Sequence, residues 1–316
     1  MQYRGVGKSG LRVSVVGLGC NNFGMRLDLE GSRAVIHAAL DAGITLFDTA
    51  DIYGGAGTSE TMMGQVLGER RKDIVLATKF GMQMDKEGVK KGGSRRYILA
   101  AVEDSLRRLQ TDWIDLYQLH APDPLTPMDE TLRALDDLVS SGKVRYIGCS
   151  NVPAWGVADA AWISKTRGFN SFISAQDEWS LIVRKLETEL LPATEHYGMG
   201  ILPYFPLASG MLTGKFKKGE EMSKDTRLGS AKGAGYFDHF MTDEKFDVVG
   251  KLSAFAESRG HTLLELAFSW LLAHPVVPSV IAGATKVEQV AANVKAADWA
   301  LTAEDLAEID KIAPRA

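Results

Sequence analysis

The chain has 316 residues, 45% of them hydrophobic and 24% charged, with a formal net charge of −4 and an isoelectric point near 5.9. This is the balance of an ordinary globular protein, and its mild acidity argues against a nucleic-acid or anionic-membrane surface. No apolar run approaches the ~18 residues of a membrane span, and the opening MQYRGVGKSG has no apolar signal core, so a cytoplasmic location is expected.

The first residues predict a β-hairpin: Gln2–Val6, a turn at Lys8-Ser9-Gly10, then Leu11–Val13. Gly5-Val6-Gly7-Lys8-Ser9-Gly10 matches G-x-G-x-x-G, but a dinucleotide fingerprint needs a buried strand before it and a helix after it. Here four residues precede it and a β-like run follows, which favours a hairpin turn. Short apolar runs of strand length then recur at Val15–Leu18, Thr45–Phe47, Ile74–Ala77, Asp115–Leu119, Val144–Gly148, Phe172–Ala175, Gly200–Tyr204 and Val277–Ile281. Most are nearly continuous, as strands covered on both faces are.

Between them lie stripes of helical period. Ser32–Ala42 places Val35, Ile36, Ala39 and Leu40 on one face, with Ser32 as N-cap and Gly43 as the stop. Similar stripes predict helices over Ser59–Leu67, Tyr97–Leu109, Pro127–Ser140, Pro153–Lys165, Leu186–Tyr197 and Val287–Ala296, with Pro127 and Pro153 as first helical residues. Phe246–Leu272 reads as a helical stretch longer than one crossover needs, and Lys215–Met241, rich in Gly, Lys and Asp, as a long surface loop. Eight β-then-α units predict an α/β fold: a (β/α)8 TIM barrel with an N-terminal β-hairpin and extra C-terminal helices, in one domain over 1–316.

In such barrels chemistry sits at the C-terminal ends of the strands. There the apolar runs end in polar residues: Asp48, then Thr49 to Tyr53; Thr78-Lys79; His120; Cys149-Ser150-Asn151; and Gln176. Each alone has a bland reading as a turn cap, a solvated strand end or a loop histidine. Together they form an ionisable cluster on one face. The six histidines are scattered, and with Cys20 and Cys149 the only cysteines no zinc-site spacing exists, so neither a metal nor a disulfide is expected. The cysteines read as packing at strand ends. Gly210–Lys215 lacks the spacing of a phosphate loop, with Phe216 where Ser or Thr should stand, yet its small residues and lysine could still cradle a phosphate.

Five stretches carry a resemblance: residues 43–54 (GITLFDTADIYG), 116–120 (LYQLH), 142–151 (GKVRYIGCSN), 206–215 (PLASGMLTGK) and 281–285 (IAGAT). Over nearly its whole length the chain resembles an aldo-keto reductase. The resemblance implies nicotinamide binding without a Rossmann domain and carbonyl reduction by a Tyr-Lys-Asp-His tetrad, here Tyr53, Lys79, Asp48 and His120. Tyr53 would protonate the carbonyl oxygen. An unperturbed tyrosine, with a pKa of ~10, releases protons poorly at neutral pH. A close Lys79 would favour the phenolate, Asp48 would hold Lys79 charged, and His120 would orient the substrate carbonyl. The resemblance also assigns Ser150, Asn151 and Gln176 to the carboxamide and Tyr204, with Phe205 as fallback, to stacking on the ring. Leu207, Ser209, Gly210 and Lys215 fall to the pyrophosphate, and Gly283, Thr285, Lys286, Gln289 and Asn293 to the adenosine and its 2′-phosphate. Many members carry arginine where Gln289 stands; Lys286 is the nearby cation, which favours NADPH with NADH as the alternative.

Asn22, Phe23, Met25, Met82, Trp179 and the Lys215–Met241 loop are expected to wall an apolar pocket for a small carbonyl substrate. Two rival readings stand beside this one. One is a nicotinamide-binding module similar to potassium-channel β subunits. The other is a Schiff-base aldolase using Lys79, which an adjacent Asp48 would oppose by keeping the amine protonated.

Overall fold

The structure, a computed structural model, describes all residues except 221, 225, 231–234, 236 and 316. Strands β1 (Tyr3–Gly5) and β2 (Arg12–Ser14) form the hairpin, in register Tyr3↔Ser14 and Gly5↔Arg12, so the glycine-rich stretch is its turn. Eight parallel strands follow: β3 (Val16–Gly19), β4 (Leu46–Asp48), β5 (Val75–Phe80), β6 (Ile114–Leu119), β7 (Val144–Ser150), β8 (Ser174–Glu178), β9 (Gly200–Tyr204) and β10 (Val280–Gly283). They pair in the order β10-β3-β4-β5-β6-β7-β8-β9. The Ile201 N–H donates to Val276 O at 2.8 Å, drawing β9 toward the segment before β10 and nearly closing a (β/α)8 barrel.

The crossover helices are α1 (Leu29–Asp41), α2 (Tyr53–Ala56), α3 (Thr58–Leu67), α4 (Arg95–Leu109), α5 (Met128–Ser140), α6 (Ala154–Arg167) and α7 (Leu190–Tyr197). They continue with α8 (Arg227–Ser230), α9 (Asp243–Ser258), α10 (Leu263–Leu272), α11 (Val287–Lys295) and α12 (Ala303–Ile312). Several boundaries differ from the sequence reading, each for a local reason. Asp28, not Ser32, caps α1 by accepting from Gly31 N, and Ser32 is buried inside the helix. Pro127 and Pro153 are N-caps rather than first helical residues. The stretch 186–197 divides into a 3-10 turn, Lys185–Glu187, and α7. The long stretch 246–272 is two helices, because Gly260 is left-handed and Thr262 opens α10 with a capping box to Glu265. The last strand begins three residues later than read, at Val280, and the loop after β9 holds the short α8. Helix α3 crosses α4 so closely that a Cβ on Gly64 would lie 2.3 Å from the Arg108 carbonyl oxygen.

The barrel interior changes character along its axis. Near the N-terminal end Leu46, Ala77, Leu116, Leu202 and Ile281 form a buried cluster with Val6 and Val13 of the hairpin, which plugs that end. Two residues further along, Leu46, Ala77 and Leu116 give way to buried Asp48, Lys79 and Gln118. A strand period of two puts both layers on the same inner face. The outer faces of the strands pack against the helices in the main core.

Candidate active site

Strands β4 and β5 hold Asp48 and Lys79 side by side. Lys79 is fully buried, and its ammonium donates to Asp48 Oδ2 at 2.6 Å and to Thr49 O at 2.9 Å. Its third hydrogen bond goes to Tyr53, so the three donors of the ammonium are all used. Burial pushes the lysine pKa down, but Asp48 and Tyr53 outweigh it and the net shift is upward. A raised pKa keeps Lys79 cationic and unsuited to a Schiff base, which needs the neutral amine. Asp48 Oδ1 accepts from Gln118 Nε2 at 3.2 Å and Gln176 Nε2 at 2.9 Å, so the carboxylate is satisfied on both oxygens.

Tyr53 follows a tight turn in which Asp51 N–H donates to Lys79 O at 3.0 Å and Tyr53 N–H to Ala50 O at 3.1 Å. Gly54 makes the turn possible. Its φ is 74°, and a Cβ there would stand 2.6 Å from Phe23 O. The Tyr53 ring meets His120 edge-on, with centroids 5.7 Å apart at 82°, and lies 5.1 Å from Lys79 Nζ. Burial, then the charge of Lys79, push the His120 imidazole down to about 3, so it is neutral at physiological pH. Asp48, Tyr53, Lys79 and His120 thus form one contiguous cluster.

Ser150, Asn151, Gln176 and Tyr204 also come together. Ser150 Oγ donates to Gln176 O at 2.8 Å; Asn151 Nδ2 donates to His120 O and to Ser150 Oγ; and Tyr204 Oη donates to Asn151 Oδ1 at 2.9 Å. Asn151 holds φ at 57°, a left-handed conformation that asparagine tolerates better than most residues.

Beyond β9 the backbone is unusually strained. Phe205, Ala208 and Ser209 have φ of 50°, 45° and 56°, followed by Gly210 at 104°. Such runs persist where a site requires them. Ser209 Oγ is buried and has no hydrogen-bond partner among the described residues. Lys215 bends over Gly210, and burial together with the charges of Arg26 and Arg227 lowers its pKa. Arg227, from α8, donates to Asn22 Oδ1 at 2.6 Å and Asn21 Oδ1 at 3.1 Å, while Asn22 Nδ2 reaches Ala284 O. Lys215, with the charges of Arg26 and Arg227 felt beside it, and an unpartnered Ser209 hydroxyl thus gather at a strained turn, a chemistry that suits the phosphates of a nicotinamide dinucleotide. Past β10, Thr285 N–H and hydroxyl both donate to Gln289 Oε1; Lys286 is exposed at the N-cap of α11, and Asn293 is buried on that helix.

Residues 15–314 match the model of the aldo/keto reductase family. The chain belongs to that family. It is 37% identical to the uncharacterized oxidoreductase YrpG of Bacillus subtilis over 325 residues, covering 99% of this chain and 96% of the relative. It is 36% identical to an L-glyceraldehyde 3-phosphate reductase of Escherichia coli O157:H7, covering 98% and 92%. A probable voltage-gated potassium channel subunit beta of Oryza sativa subsp. japonica is 37% identical, covering 94% and 92%. Aldo/keto reductases are oxidoreductases that generally use NAD(P)H, and the chain is an oxidoreductase of this kind.

Within this family frame the structure corrects the expected pocket wall. Phe23 and Trp179 are fully buried, Trp179 packing on Trp270 and donating to Glu187 Oε1, and Asn22 is buried beneath Arg227. Met25 and Met82 are exposed on loops that follow β3 and β5. Lys79, Ser150 and Gln176 lie within strands rather than beyond them. Sequence reading missed Gln118, Arg26 and Arg227. Gln118 carried a usable signal, since it shares strand parity with His120. Arg227 carried none, because only the folded loop brings it to Asn21 and Asn22. Among the described residues no group of His, Cys, Asp and Glu is placed to hold a metal ion, and no helix is long and apolar enough to cross a membrane.

Proposed function

We propose that the chain reduces the carbonyl of an aldehyde or ketone using NADPH, with Tyr53 as proton donor. The observation that carries this reading is Lys79, fully buried and bound to both Asp48 and Tyr53 beside a neutral His120. When bound, the reduced nicotinamide supplies the hydride. Ser150, Asn151 and Gln176 would hold its carboxamide and Tyr204 its ring face. Leu207, Ser209, Gly210 and Lys215, joined by Arg227, would hold the pyrophosphate. Gly283, Thr285, Lys286, Gln289 and Asn293 would take the adenosine and 2′-phosphate, with Lys286 favouring NADPH over NADH.

The protein's own part is proton transfer and orientation. The Lys79 ammonium, hydrogen-bonded to the phenol, stabilises negative charge left on Tyr53 Oη as its proton passes to the substrate oxygen. Asp48 keeps that ammonium charged and immobile. Neutral His120 acts as a hydrogen-bond donor to the substrate oxygen, placing it against Tyr53 and stabilising the developing alkoxide. We read the chain as one domain, 1–316, acting in the cytoplasm, where its two buried thiols stay reduced.

Loss of NADPH absorbance, then of NADH absorbance, with aromatic aldehydes, diketones, sugars and a triose phosphate tests the reading beside Tyr53→Phe. The expected result is turnover that falls by ~10²–10⁴-fold in the variant, with NADPH preferred. A Tyr53→Phe enzyme as fast as wild type overturns it. The potassium-channel β relatives favour a second reading, a module whose nicotinamide occupancy is read by a partner. Tight NADPH binding without reduction of any carbonyl would select it.

A further inference from the structure

Behind the catalytic strands, outside the barrel, lies a buried polar cluster that the mechanism above does not use. Asp51 stands between Asp48 and Tyr53 in the chain, and its N–H holds the Lys79 carbonyl at 3.0 Å. The residue is 1% exposed. Oδ2 accepts from Tyr97 Oη of α4 at 3.2 Å, whereas Oδ1 has no partner among the described residues. Glu60 of α3, fully buried, accepts from Thr78 Oγ1 at 2.6 Å and from Arg108 Nε at 2.7 Å. Thr78 is the residue before Lys79. On β6 the buried Tyr117 hydroxyl also lacks a partner among the described residues, and its ring packs on Phe80, the residue after Lys79.

Asp51 therefore ties the Tyr53 turn to α4 and Glu60 ties the Lys79 strand to α4, close enough for their charges to interact. The groups facing Asp51 are Glu60 from α3, Tyr97 and Arg108 from α4, and Tyr117 from β6, with Asp104 beside Tyr97. Arg108 is the one cation among them. Two ionised carboxylates here would repel across the contact that sets the spacing of Tyr53 and Lys79, and a proton on Asp51 removes that repulsion.

We infer that Asp51 is a positioning residue for the Tyr53–Lys79 pair, and that loss of its proton loosens the pair and slows catalysis. The inference rests on the reductase reading above. Burial, then Glu60, push the Asp51 carboxyl up to about 7, while Tyr97 and Arg108 pull it down. The causes fix opposite signs for two neighbours: Tyr97→Phe removes a donor to the carboxylate and should move the ionisation to higher pH, whereas Glu60→Gln removes a like charge and should move it lower.

The test is the pH dependence of kcat for NADPH-linked carbonyl reduction, together with ¹³C-carboxyl NMR of the aspartates in the whole protein. We expect kcat to fall by roughly tenfold through neutral pH with KM little changed, and Asp51→Asn to abolish both the fall and one near-neutral aspartate titration. Tyr97→Phe and Glu60→Gln should displace the fall in opposite directions, an outcome that general loosening does not produce. If Asp51→Asn does not fold by circular dichroism, those opposed shifts decide. A neutral-pH fall that persists in Asp51→Asn, or shifts of one sign in both neighbours, overturns the inference; Asp177, also pushed up to about 7 by burial, is then tested by Asp177→Asn. Tyr53→Phe separates the two readings. If that variant turns over like wild type, the reductase mechanism falls while the NMR titration still reports on Asp51. If it is dead and Asp51→Asn keeps the fall, only the inference here fails.

Discussion

The two ends of the barrel interior are built from the same strands and solve opposite problems. At the hairpin end the apolar side chains of Leu46, Ala77, Leu116, Leu202 and Ile281 close over Val6 and Val13. Two residues along, Asp48, Lys79, Gln118 and Gln176 are equally buried, but their polar ends are joined by hydrogen bonds and an ion pair. Apolar burial contributes stability in proportion to area, whereas a buried ion pair roughly breaks even and becomes costly once a partner is lost. The lesson is a division of labour: the plugged end supports the fold, and the polar end uses part of that support to hold charge where water cannot screen it.

The sharpest way to break this comparison is at Lys79. Lys79→Met leaves Asp48 buried with only two amide donors, and we expect a loss of about 3–5 kcal/mol in urea unfolding together with loss of turnover. Adding Asp48→Leu should restore much of that stability and none of the activity. If Lys79→Met is as stable as wild type, the pair is not held in a low-dielectric interior. At the other end Leu116→Ala should cost about 2–5 kcal/mol through the cavity it opens, while kcat at a temperature below unfolding stays near wild type. A large fall in kcat from Leu116→Ala would show that the two ends are mechanically coupled.

How much of this was legible beforehand follows from the same contrast. The strands and their order could be read because each is a run of apolar residues set by burial alone, and the tetrad because polar residues end those runs. Boundaries slipped where capping decided them, as at Asp28 and Gly260, because a cap is one side chain bonding one N–H. Gln118 was overlooked inside an apolar run although its parity with His120 placed it. The Arg26–Lys215–Arg227 cluster could not be read, since its members lie far apart in sequence and meet only through the fold. Phe23 and Trp179 misled for the converse reason: an aromatic beside a strand end can turn into the core as readily as into a pocket.

The basic arc gives a smaller effect than either end of the barrel. Lys215→Ala removes one cation from the cluster, and hydrogen bonds to charged groups contribute about 1.5–3 kcal/mol each. NADPH fluorescence titration should therefore show a Kd raised by roughly ten- to a hundredfold, with a weaker dependence on salt than in wild type, because fewer charges are engaged. An unchanged Kd and salt dependence would remove Lys215 from the proposed phosphate site.

The smallest effect is a slope rather than a step, and it bears on the polar end alone. His120 is pushed from 6.5 to about 3 by burial and by Lys79, so the folded protein holds it neutral where the unfolded chain protonates it. A depressed folded pKa means stability that is present above the unfolded value and is lost as pH falls from about 6.5 toward 3. Asp51 and Asp177 act in the opposite sense: each is raised from 3.8 to about 7, so each contributes stability below the unfolded value that is lost as pH rises through that window. Net slope therefore does not identify His120, but the difference between wild type and His120→Gln does, because the two carboxyls are common to both. On acidification from about pH 7 to about pH 4 the urea midpoint of His120→Gln should rise relative to that of wild type, whichever way each slopes by itself. Equal slopes would mean that His120 titrates much as it does in the unfolded chain, and the neutral hydrogen-bond donor assigned to it would have to be reconsidered.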